Sequence, residues 1–375
     1  MCALDPARLE RAFALLARGV ECGAFAGAVA AVGGLDEAEV RAFGHAALRP
    51  RSVPMRTDTR FDLASLTKVV ATTPAVLHLL EEGAFSLETP VRDLLPEFAD
   101  GRVTVRHLLT HTSGLPAWLP LYIDHHGLDD YRAAIGRLPL EREPGRQVVY
   151  SDLGFILLGA IVERLTGLSL PAYCESAVFA PLGMATAGWL PPGPLDGVAA
   201  TEEGNRIEMG MAGERADAFL RWRQGILWGE ANDGNAFYGL DGVAGHAGLF
   251  GTAADLIAYA RAWLRGGAPV LSPHTVALAT RNLTPGMVDA RGLGWQKPPA
   301  EPFPARPCSG GELLSASAFG HTGFTGTSLW VDPEKGLFII LLTNRLHPVP
   351  ERCGPDLFAL RPRFHNAAVA AWIVP

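Results

Sequence analysis

Ser65-Leu66-Thr67-Lys68 is the stretch that says most about the fold of this chain, because it places a lysine one helical turn after a serine. Only three of the 32 basic residues are lysines, and all the others are arginines. An arginine stays protonated inside a protein, whereas a buried lysine can release its proton. Residues i and i+3 share one face of a helix, so we expect Lys68 to reach the Ser65 hydroxyl. The motif therefore indicates a serine nucleophile beside a base.

The residues around this motif predict a long helix from Asp62 to Glu82, with Ser65 near its start. Apolar residues recur on one face of the segment, and Gly83 is a good terminator. Free backbone N–H groups and the helix dipole at such an N-terminus favour a developing negative charge. Complete burial lowers the pKa of a lysine by as much as about 3–5 units, so we expect Lys68 to act as a base near neutral pH.

Composition and charge exclude several classes of protein. Of the 375 residues, 48% are hydrophobic and 19% are charged, which is typical of a globular protein. The net charge of -7 argues against a nucleic-acid partner, and no apolar run is long enough to predict a membrane span. Charges within residues 1–20 favour an amphipathic helix over a signal peptide, so a cytoplasmic location is expected. The five scattered cysteines, which include no CxxC, indicate reduced thiols.

Strand patterns at both ends of the chain predict an α+β fold. Segments 27–32 and 40–45 predict one pair of strands, and segments 327–332 and 337–343 predict a hairpin. The residues between these pairs are mostly helical or irregular in pattern. We therefore expect one antiparallel sheet built from the N- and C-terminal segments and flanked by helices, with a mostly helical domain inserted.

The domain boundaries follow from the same pattern. The sheet domain is predicted to comprise residues 1–85 plus 286–375, and the inserted helical domain residues 86–285, with the active site at their interface. Further helices are predicted at 153–165, 252–265 and 364–374, and an exposed proline-rich loop at 298–307.

Two other short segments carry polar groups of chemical interest. Tyr150-Ser151-Asp152 precedes the predicted helix 153–165, and on its own it is better explained by helix capping than by catalysis. His321-Thr322-Gly323 precedes Phe324 and a predicted strand. That segment is either an ordinary glycine-rich turn or the lining of a cleft, where backbone N–H groups face a reacting carbonyl.

The three segments, in this order, resemble the motifs of the serine β-lactamase and penicillin-binding-protein superfamily. That superfamily uses Ser-x-x-Lys, then Tyr-x-Asn, then Lys-Thr-Gly or His-Thr-Gly. The similarity is greatest to its class C-like branch of β-lactamases, D-alanyl carboxypeptidases and esterases. It extends over nearly the whole chain, and the further matching stretches are 105–115, 144–145 and 245–250.

This resemblance implies a role for each matching residue. Ser65 would be the acylated nucleophile, and Lys68 would accept its proton or keep Tyr150 anionic. Tyr150 would act as general base and pass the proton to the leaving group. His321 would help to bind a carboxylate or orient Tyr150. The N–H groups of Ser65 and Phe324 would form an oxyanion hole, a feature worth about 10²–10³ in rate per donor.

Two residues depart from the motifs of the β-lactamases. Asp152, implied to bind substrate together with Thr322 and Gly323, stands where those enzymes have asparagine. An ionised aspartate only accepts hydrogen bonds, whereas an asparagine amide also donates them. His321 in place of lysine removes a fixed positive charge near pH 7. Both departures favour an esterase or a D-amino-acid peptidase over an antibiotic-destroying enzyme.

Other polar residues have two interpretations each. Asp233 and Asn235 lie in a glycine-rich loop that either lines the cleft or is a capped surface loop. His246 either lies near the cleft or is structural. His107 and His111 have the spacing of a metal pair, but no third ligand stands at a suitable spacing. We therefore expect no metal and no other cofactor.

The leading hypothesis is a serine hydrolase that works through an acyl-enzyme at Ser65. Its substrate would be an ester or an amide, such as a short-chain ester, a D-amino-acid peptide or a β-lactam. An acyltransferase of the same superfamily is one alternative. A penicillin-binding or peptidoglycan-fragment sensor that acylates without turnover is the other. The expected partner is thus a small-molecule or peptide substrate, and nothing in the sequence predicts the oligomeric state.

Overall fold

Strands from the two ends of the chain form a six-stranded antiparallel sheet in the computed structural model, which describes residues 3–191, 193–299, 308–349 and 353–373. The order across this sheet is β4-β3-β2-β10-β9-β8, and two short sheets pair β1 with β11 and β5 with β7 and β6. The strands are β1 (Ala3–Leu4), β2 (Gly27–Gly33), β3 (Ala38–Ala47), β4 (Val53–Pro54), β5 (Phe61–Asp62), β6 (Gly188–Trp189), β7 (Leu249–Gly251), β8 (Phe319–Thr322), β9 (Ser328–Asp332), β10 (Leu337–Thr343) and β11 (Trp372–Ile373).

The pairing of β2 with β10 joins the N-terminal strands to the C-terminal strands. Both strands are entirely buried and consist mostly of small or branched apolar residues, which suit a sheet covered on both faces. Ala30 lies opposite Leu341 in this antiparallel register. The α+β fold and the antiparallel sheet built from both ends of the chain are thus confirmed.

Helices cover both faces of the sheet and fill the segment between its two halves. They are α1 (Pro6–Glu21), α2 (Thr73–Glu81), α3 (Val91–Leu94), α4 (Val105–Leu109), α5 (Leu128–Gly136), α6 (Asp152–Thr166), α7 (Leu170–Cys174), α8 (Ala180–Leu182), α9 (Arg206–Ala212), α10 (Ala253–Leu264), α11 (Pro273–Thr280) and α12 (Leu357–Ala371). Within the described ranges no single helix is long and apolar enough to cross a membrane, although α6 and the segment Leu170–Leu182 meet the length and composition requirements together as a bent pair.

Helices α1 and α12 form the outer layer against one face of the sheet. Leu9, Phe13 and Leu16 recur at helical spacing on α1 and are buried, each burial stabilising the fold by about 1.5–3 kcal/mol. Phe13 stacks on Phe364 of α12, with 6.4 Å between ring centroids. The sequence prediction that the last helix starts at Phe364 was wrong, because Asp356 caps an earlier start by accepting the backbone N–H of Ala359 at 3.1 Å.

Helix α10 lies against the other face of the sheet and contacts β9 and β10. Thr252 and Asp255 form a capping box at its start. The Tyr259 hydroxyl donates to the carbonyl oxygen of Val69, so α10 also contacts the helix that carries Lys68. This helix belongs to the predicted inserted domain 86–285, whose boundaries stay a prediction. The predicted loop 298–307 lies almost entirely outside the described residues.

The predicted helix 62–82 starts later than the sequence indicates. Phe61–Asp62 is instead strand β5, which pairs with β7. Helical turns begin at Leu66, widen to π-helical geometry over Lys68–Thr72 and continue as α2. The cause is Ala64, whose φ of 47° interrupts any helical path through residues 62–65.

Candidate active site

Ser65 follows a strained turn that several side chains hold in place. A positive φ at Ala64 costs on the order of 1–3 kcal/mol for a residue with a side chain. The Asp62 carboxylate accepts the backbone N–H of Ala64 at 2.8 Å, and the Thr327 hydroxyl donates to the carbonyl oxygen of Leu63 at 3.0 Å. Such strain persists where the surrounding structure fixes it, and here it directs Ser65 towards Lys68.

Lys68 is fully buried and connects three parts of the site. Its Nζ donates to Ser65 Oγ at 3.0 Å and to the backbone carbonyl oxygen of His246 at 2.9 Å. Asp152 Oδ1 lies 2.6 Å from the same Nζ. The predicted contact between the lysine and the serine is present, and Asp152 is a partner of Lys68 that the motif spacing alone did not indicate.

The charge of Lys68 differs from the sequence prediction. Burial by itself would lower the pKa of Lys68, but the nearby Asp152 carboxylate and Tyr150 more than offset that effect, so its pKa is raised above the usual value. The expectation that desolvation makes Lys68 a free base near neutral pH was therefore wrong. In the resting site Lys68 is an ammonium group paired with Asp152.

Tyr150 lies between Lys68 and two histidines. Lys68 Nζ is 5.0 Å from the Tyr150 ring centroid, and the centroids of His111 and His321 lie 4.5 Å and 5.6 Å from it. The Tyr150 hydroxyl is buried close to Lys68 and Ser65 without a well-aligned hydrogen bond to any described residue. Burial raises the pKa of Tyr150, and the Lys68 charge opposes part of that effect. Tyr150 is therefore a neutral phenol in the resting site.

The capping explanation for the Tyr150 segment does not hold. Ser151 stands at the N-cap position of α6, but its hydroxyl donates to the carbonyl oxygen of Pro116 at 2.7 Å and caps nothing. Its backbone N–H donates to His111 Nδ1 at 3.0 Å. These two bonds fix the backbone that carries Tyr150 and Asp152.

His321 lies at the end of β8 and is neutral. Its Nδ1 lies 2.8 Å from the Thr322 carbonyl oxygen, which only accepts, so Nδ1 carries the proton and Nε2 has a free lone pair. Burial, followed by the charges of Arg291 and Lys68, lowers the pKa of His321 well below its usual range. His321 thus carries no charge near pH 7, in agreement with the sequence prediction about a missing fixed charge.

Gly323 brings the third motif into contact with the nucleophile turn. A Cβ at this position would collide with the carbonyl oxygen of Leu63 and with the hydroxyl of Thr327. Neither the backbone N–H of Ser65 nor that of Phe324 donates to another described residue. Both donors are available to a substrate oxygen, as an oxyanion hole requires.

Two residues of this site were missed as functional groups at the sequence level. His111, considered there as half of a possible metal pair, packs its ring against Tyr150. Arg291 has its guanidinium carbon 5.5 Å from the Tyr150 ring centroid and is only 7% exposed. The resemblance of stretch 105–115 to known motifs pointed to His111, whereas no motif pointed to Arg291.

The predicted cleft residues separate into two groups. Asp233 and His246 form a pair at 2.9 Å, and their ligating atoms lie within 4.8 Å of each other and of Asp152. These three side chains could together ligate a cation, but Lys68 already supplies a positive charge to Asp152. Asn235 does not face the cleft, because it is fully buried and bonds the backbone of Leu119 through its amide nitrogen.

A serine, a lysine and a tyrosine brought together at one end of an antiparallel sheet define a serine hydrolase site of the β-lactamase fold. The family model described as Beta-lactamase matches residues 13–361. Because this match covers most of the chain, the protein belongs to the β-lactamase family.

Two sequence relatives and one solved structure show which proteins this chain is similar to. A putative D-alanyl-D-alanine carboxypeptidase from Escherichia coli (strain K12) is 34% identical over 341 residues, which are 83% of this chain and 75% of the relative. An N-acetylmuramyl-L-alanine amidase from Bacillus subtilis (strain 168) is 34% identical over 333 residues, which are 82% of this chain and 73% of the relative. The crystal structure of SurE with D-Leu superimposes with a TM-score of 0.68 at 26% identity, covering 96% of this chain and 76% of the other.

Proposed function

We propose that this protein hydrolyses the amide bond of a D-amino-acid-containing peptide through an acyl-enzyme at Ser65. One observation carries the proposal: the Lys68 ammonium lies 3.0 Å from Ser65 Oγ and 2.6 Å from Asp152, with the Tyr150 phenol beside it. The nucleophile, a charged group and a second acid–base group thus share one buried cluster. This is the set of groups that covalent catalysis by serine needs.

Acylation begins when the Lys68–Tyr150 pair has lost one proton. Tyr150 as phenolate then accepts the proton of Ser65, while Ser65 Oγ forms a bond to the substrate carbonyl carbon. The N–H groups of Ser65 and Phe324 stabilise the oxygen anion of the tetrahedral intermediate. When the bond to the leaving amine breaks, Tyr150 returns the proton to the amine nitrogen, and the acyl-enzyme remains.

Deacylation uses the same groups in reverse order. A water molecule takes the place of the amine and gives a proton to the Tyr150 phenolate. Its oxygen then forms a bond to the acyl carbon, and the bond from that carbon to Ser65 Oγ breaks. Tyr150 finally gives the proton back to Ser65, which restores the resting enzyme and releases a carboxylic acid.

The substrate class is supported by the relatives and by Asp152. Two relatives with the same identity of 34% are named for amide chemistry, one on D-alanyl-D-alanine and one on N-acetylmuramyl-L-alanine. SurE, at 26% identity, is titled as a structure with D-Leu. A carboxylate at position 152 only accepts hydrogen bonds, so it suits an N–H group of a peptide better than the side-chain carbonyl of a penicillin.

A substrate panel tests this proposal. Purified protein is incubated separately with a D-Ala-D-Ala peptide, an N-acetylmuramyl-L-alanine amide, a chromogenic short-chain ester and nitrocefin, with Ser65→Ala as the matched control. We expect turnover of a D-Ala-D-Ala peptide with the highest kcat/KM of the panel and none with Ser65→Ala. Preference for the ester or nitrocefin would refute the substrate class, and a stable adduct without turnover would indicate the sensor. Product that forms only with an added amine or alcohol would indicate acyl transfer.

A further inference from the structure

Tyr150 lies among several charged and titratable side chains that come from different parts of the fold. Those facing it or acting on its surroundings are Lys68 before α2, Asp152 on α6, His111 after α4, His321 on β8, Arg291 between α11 and β8, and Asp289 near Arg291. Lys68 is already paired with Asp152 at 2.6 Å. His111 and His321 are both neutral, because burial lowers the pKa of each well below its usual range.

Arg291 is the remaining cation of this group. Its guanidinium carbon lies 5.5 Å from the Tyr150 ring centroid, and the side chain is 7% exposed. Among the described residues no carboxylate lies within salt-bridge distance of Arg291, and its buried Nε has no hydrogen-bond partner. Asp289 acts on it only from a greater distance. A buried guanidinium without a contacting counter-ion is costly and needs an explanation.

Several backbone hydrogen bonds hold Arg291 in place, so its position beside Tyr150 is well defined. The Arg291 N–H donates to the hydroxyl of Thr284 at 2.9 Å, and the Arg291 carbonyl oxygen accepts from the N–H of Leu283 at 2.7 Å. Arg291 also forms an antiparallel bridge to Gln296, which in turn pairs with Gly320 of β8. The arginine is thus tied to the strand that carries His321.

We infer that Arg291 is a positioning residue for the reaction, and that its buried guanidinium supplies the fixed positive charge beside Tyr150 that the neutral His321 does not carry. The inference rests on the proposed function, since it assumes that Tyr150 transfers protons. A nearby cation favours the phenolate over the phenol, and burial strengthens the effect because the local dielectric is low. Arginine suits this role because it stays charged even where burial lowers its pKa.

The test titrates Tyr150 directly and needs no substrate. The near-ultraviolet phenolate absorbance of wild-type protein, minus that of Tyr150→Phe, is followed against pH. The same difference is taken in the Arg291→Gln and Arg291→Lys backgrounds. We expect Arg291→Gln to move formation of the Tyr150 phenolate to higher pH by about one unit or more, and Arg291→Lys to restore most of the shift. An unchanged titration in Arg291→Gln would overturn the inference.

A matched control separates charge from folding. Arg261 on α10 is partly buried and donates to the carbonyl oxygen of Gly34, beyond the end of β2 that is opposite to the active site. Arg261→Gln should leave the Tyr150 titration unmoved, and an equal shift in that variant would overturn the inference. The acidic limb of the kcat/KM profile should move in the same direction as the phenolate absorbance. If no panel substrate turns over, the proposed function fails while the absorbance titration still decides the role of Arg291.

Discussion

The two sides of Tyr150 carry positive charge in different ways. On one side the Lys68 ammonium is paired with Asp152 at 2.6 Å. On the other side the Arg291 guanidinium, 5.5 Å from the ring centroid, has no contacting carboxylate among the described residues. Lys68 can transfer a proton, but the field of its charge is weakened by the paired Asp152 carboxylate. The charge of Arg291 has no such partner and is fixed, but arginine cannot transfer a proton. The difference suggests that proton transfer and electrostatic stabilisation are divided between Lys68 and Arg291.

The largest loss of activity is expected when residue 68 keeps its positive charge but can no longer transfer a proton. Lys68→Arg preserves the cation next to Asp152, but arginine cannot exchange the proton. We expect kcat/KM to fall by about 10²–10⁴-fold, the usual contribution of general acid–base catalysis. Lys68→Met serves as the comparison, because it removes both charge and proton. Wild-type rates in Lys68→Arg would show that Lys68 acts only as a charge.

A smaller loss of activity is expected when the residues that follow β8, the strand to which Arg291 is tied, are displaced. Gly323→Ala introduces a Cβ into the Leu63 carbonyl oxygen and the Thr327 hydroxyl. Such overpacking costs about 1–3 kcal/mol, so stability falls and kcat/KM drops about 10–100-fold as the oxyanion hole opens. Gly210→Ala on α9 is the control, since a Cβ at that glycine meets nothing within 4 Å and its φ is not positive. An unaltered melting temperature and rate in Gly323→Ala would show that the contact with the nucleophile turn is not needed.

Removing the counter-ion of Lys68 tests how the two sides differ. Asp152 raises the pKa of Lys68, so the deprotonated pair is populated only as pH rises. Without that carboxylate the proton leaves at lower pH. Asp152→Asn should therefore move the acidic limb of the kcat/KM profile down by about one unit. The expected shift in Arg291→Gln has the opposite direction, towards higher pH. An acidic limb that moved to higher pH in both variants would contradict the division of roles between Lys68 and Arg291.

The smallest effect is expected at His321. Its imidazole is neutral, because burial and the Arg291 and Lys68 charges lower its pKa well below the usual range. His321→Gln therefore removes no charge, and the acidic limb should stay at the wild-type pH even if KM rises. A shift as large as that of Arg291→Gln would mean that His321 is charged in the working enzyme.

The sequence predicted the fold well where local pattern and long-range packing agree. Predicted helix 153–165 is α6, Asp152–Thr166, because buried apolar residues fill it and Gly167 ends it in the left-handed conformation. The long helix 62–82 was placed too early because nothing local announces the positive φ of Ala64. That angle is imposed by contacts from Asp62 and from Thr327, which is distant in the chain.

The sequence predicted those residues of the site that belong to recognised motifs. Ser65, Lys68 and Tyr150 do lie together, as their resemblance to known motifs implies. The charge state of Lys68 could not be predicted, since it depends on the approach of Asp152 from another helix. Arg291 could not be found either, because its neighbours along the chain resemble no motif and only the folded chain brings it to Tyr150.

Time-resolved labelling with a fluorophosphonate serine probe tests the central claim most directly. Labelled protein is digested, and mass spectrometry locates the adduct and its rate of formation. We predict a single adduct on Ser65, formed about 10²–10⁴-fold more slowly in Tyr150→Phe and absent from Ser65→Ala. An adduct on a different residue, or equal labelling rates in wild-type protein and Tyr150→Phe, would contradict a Ser65 acyl-enzyme activated through Tyr150.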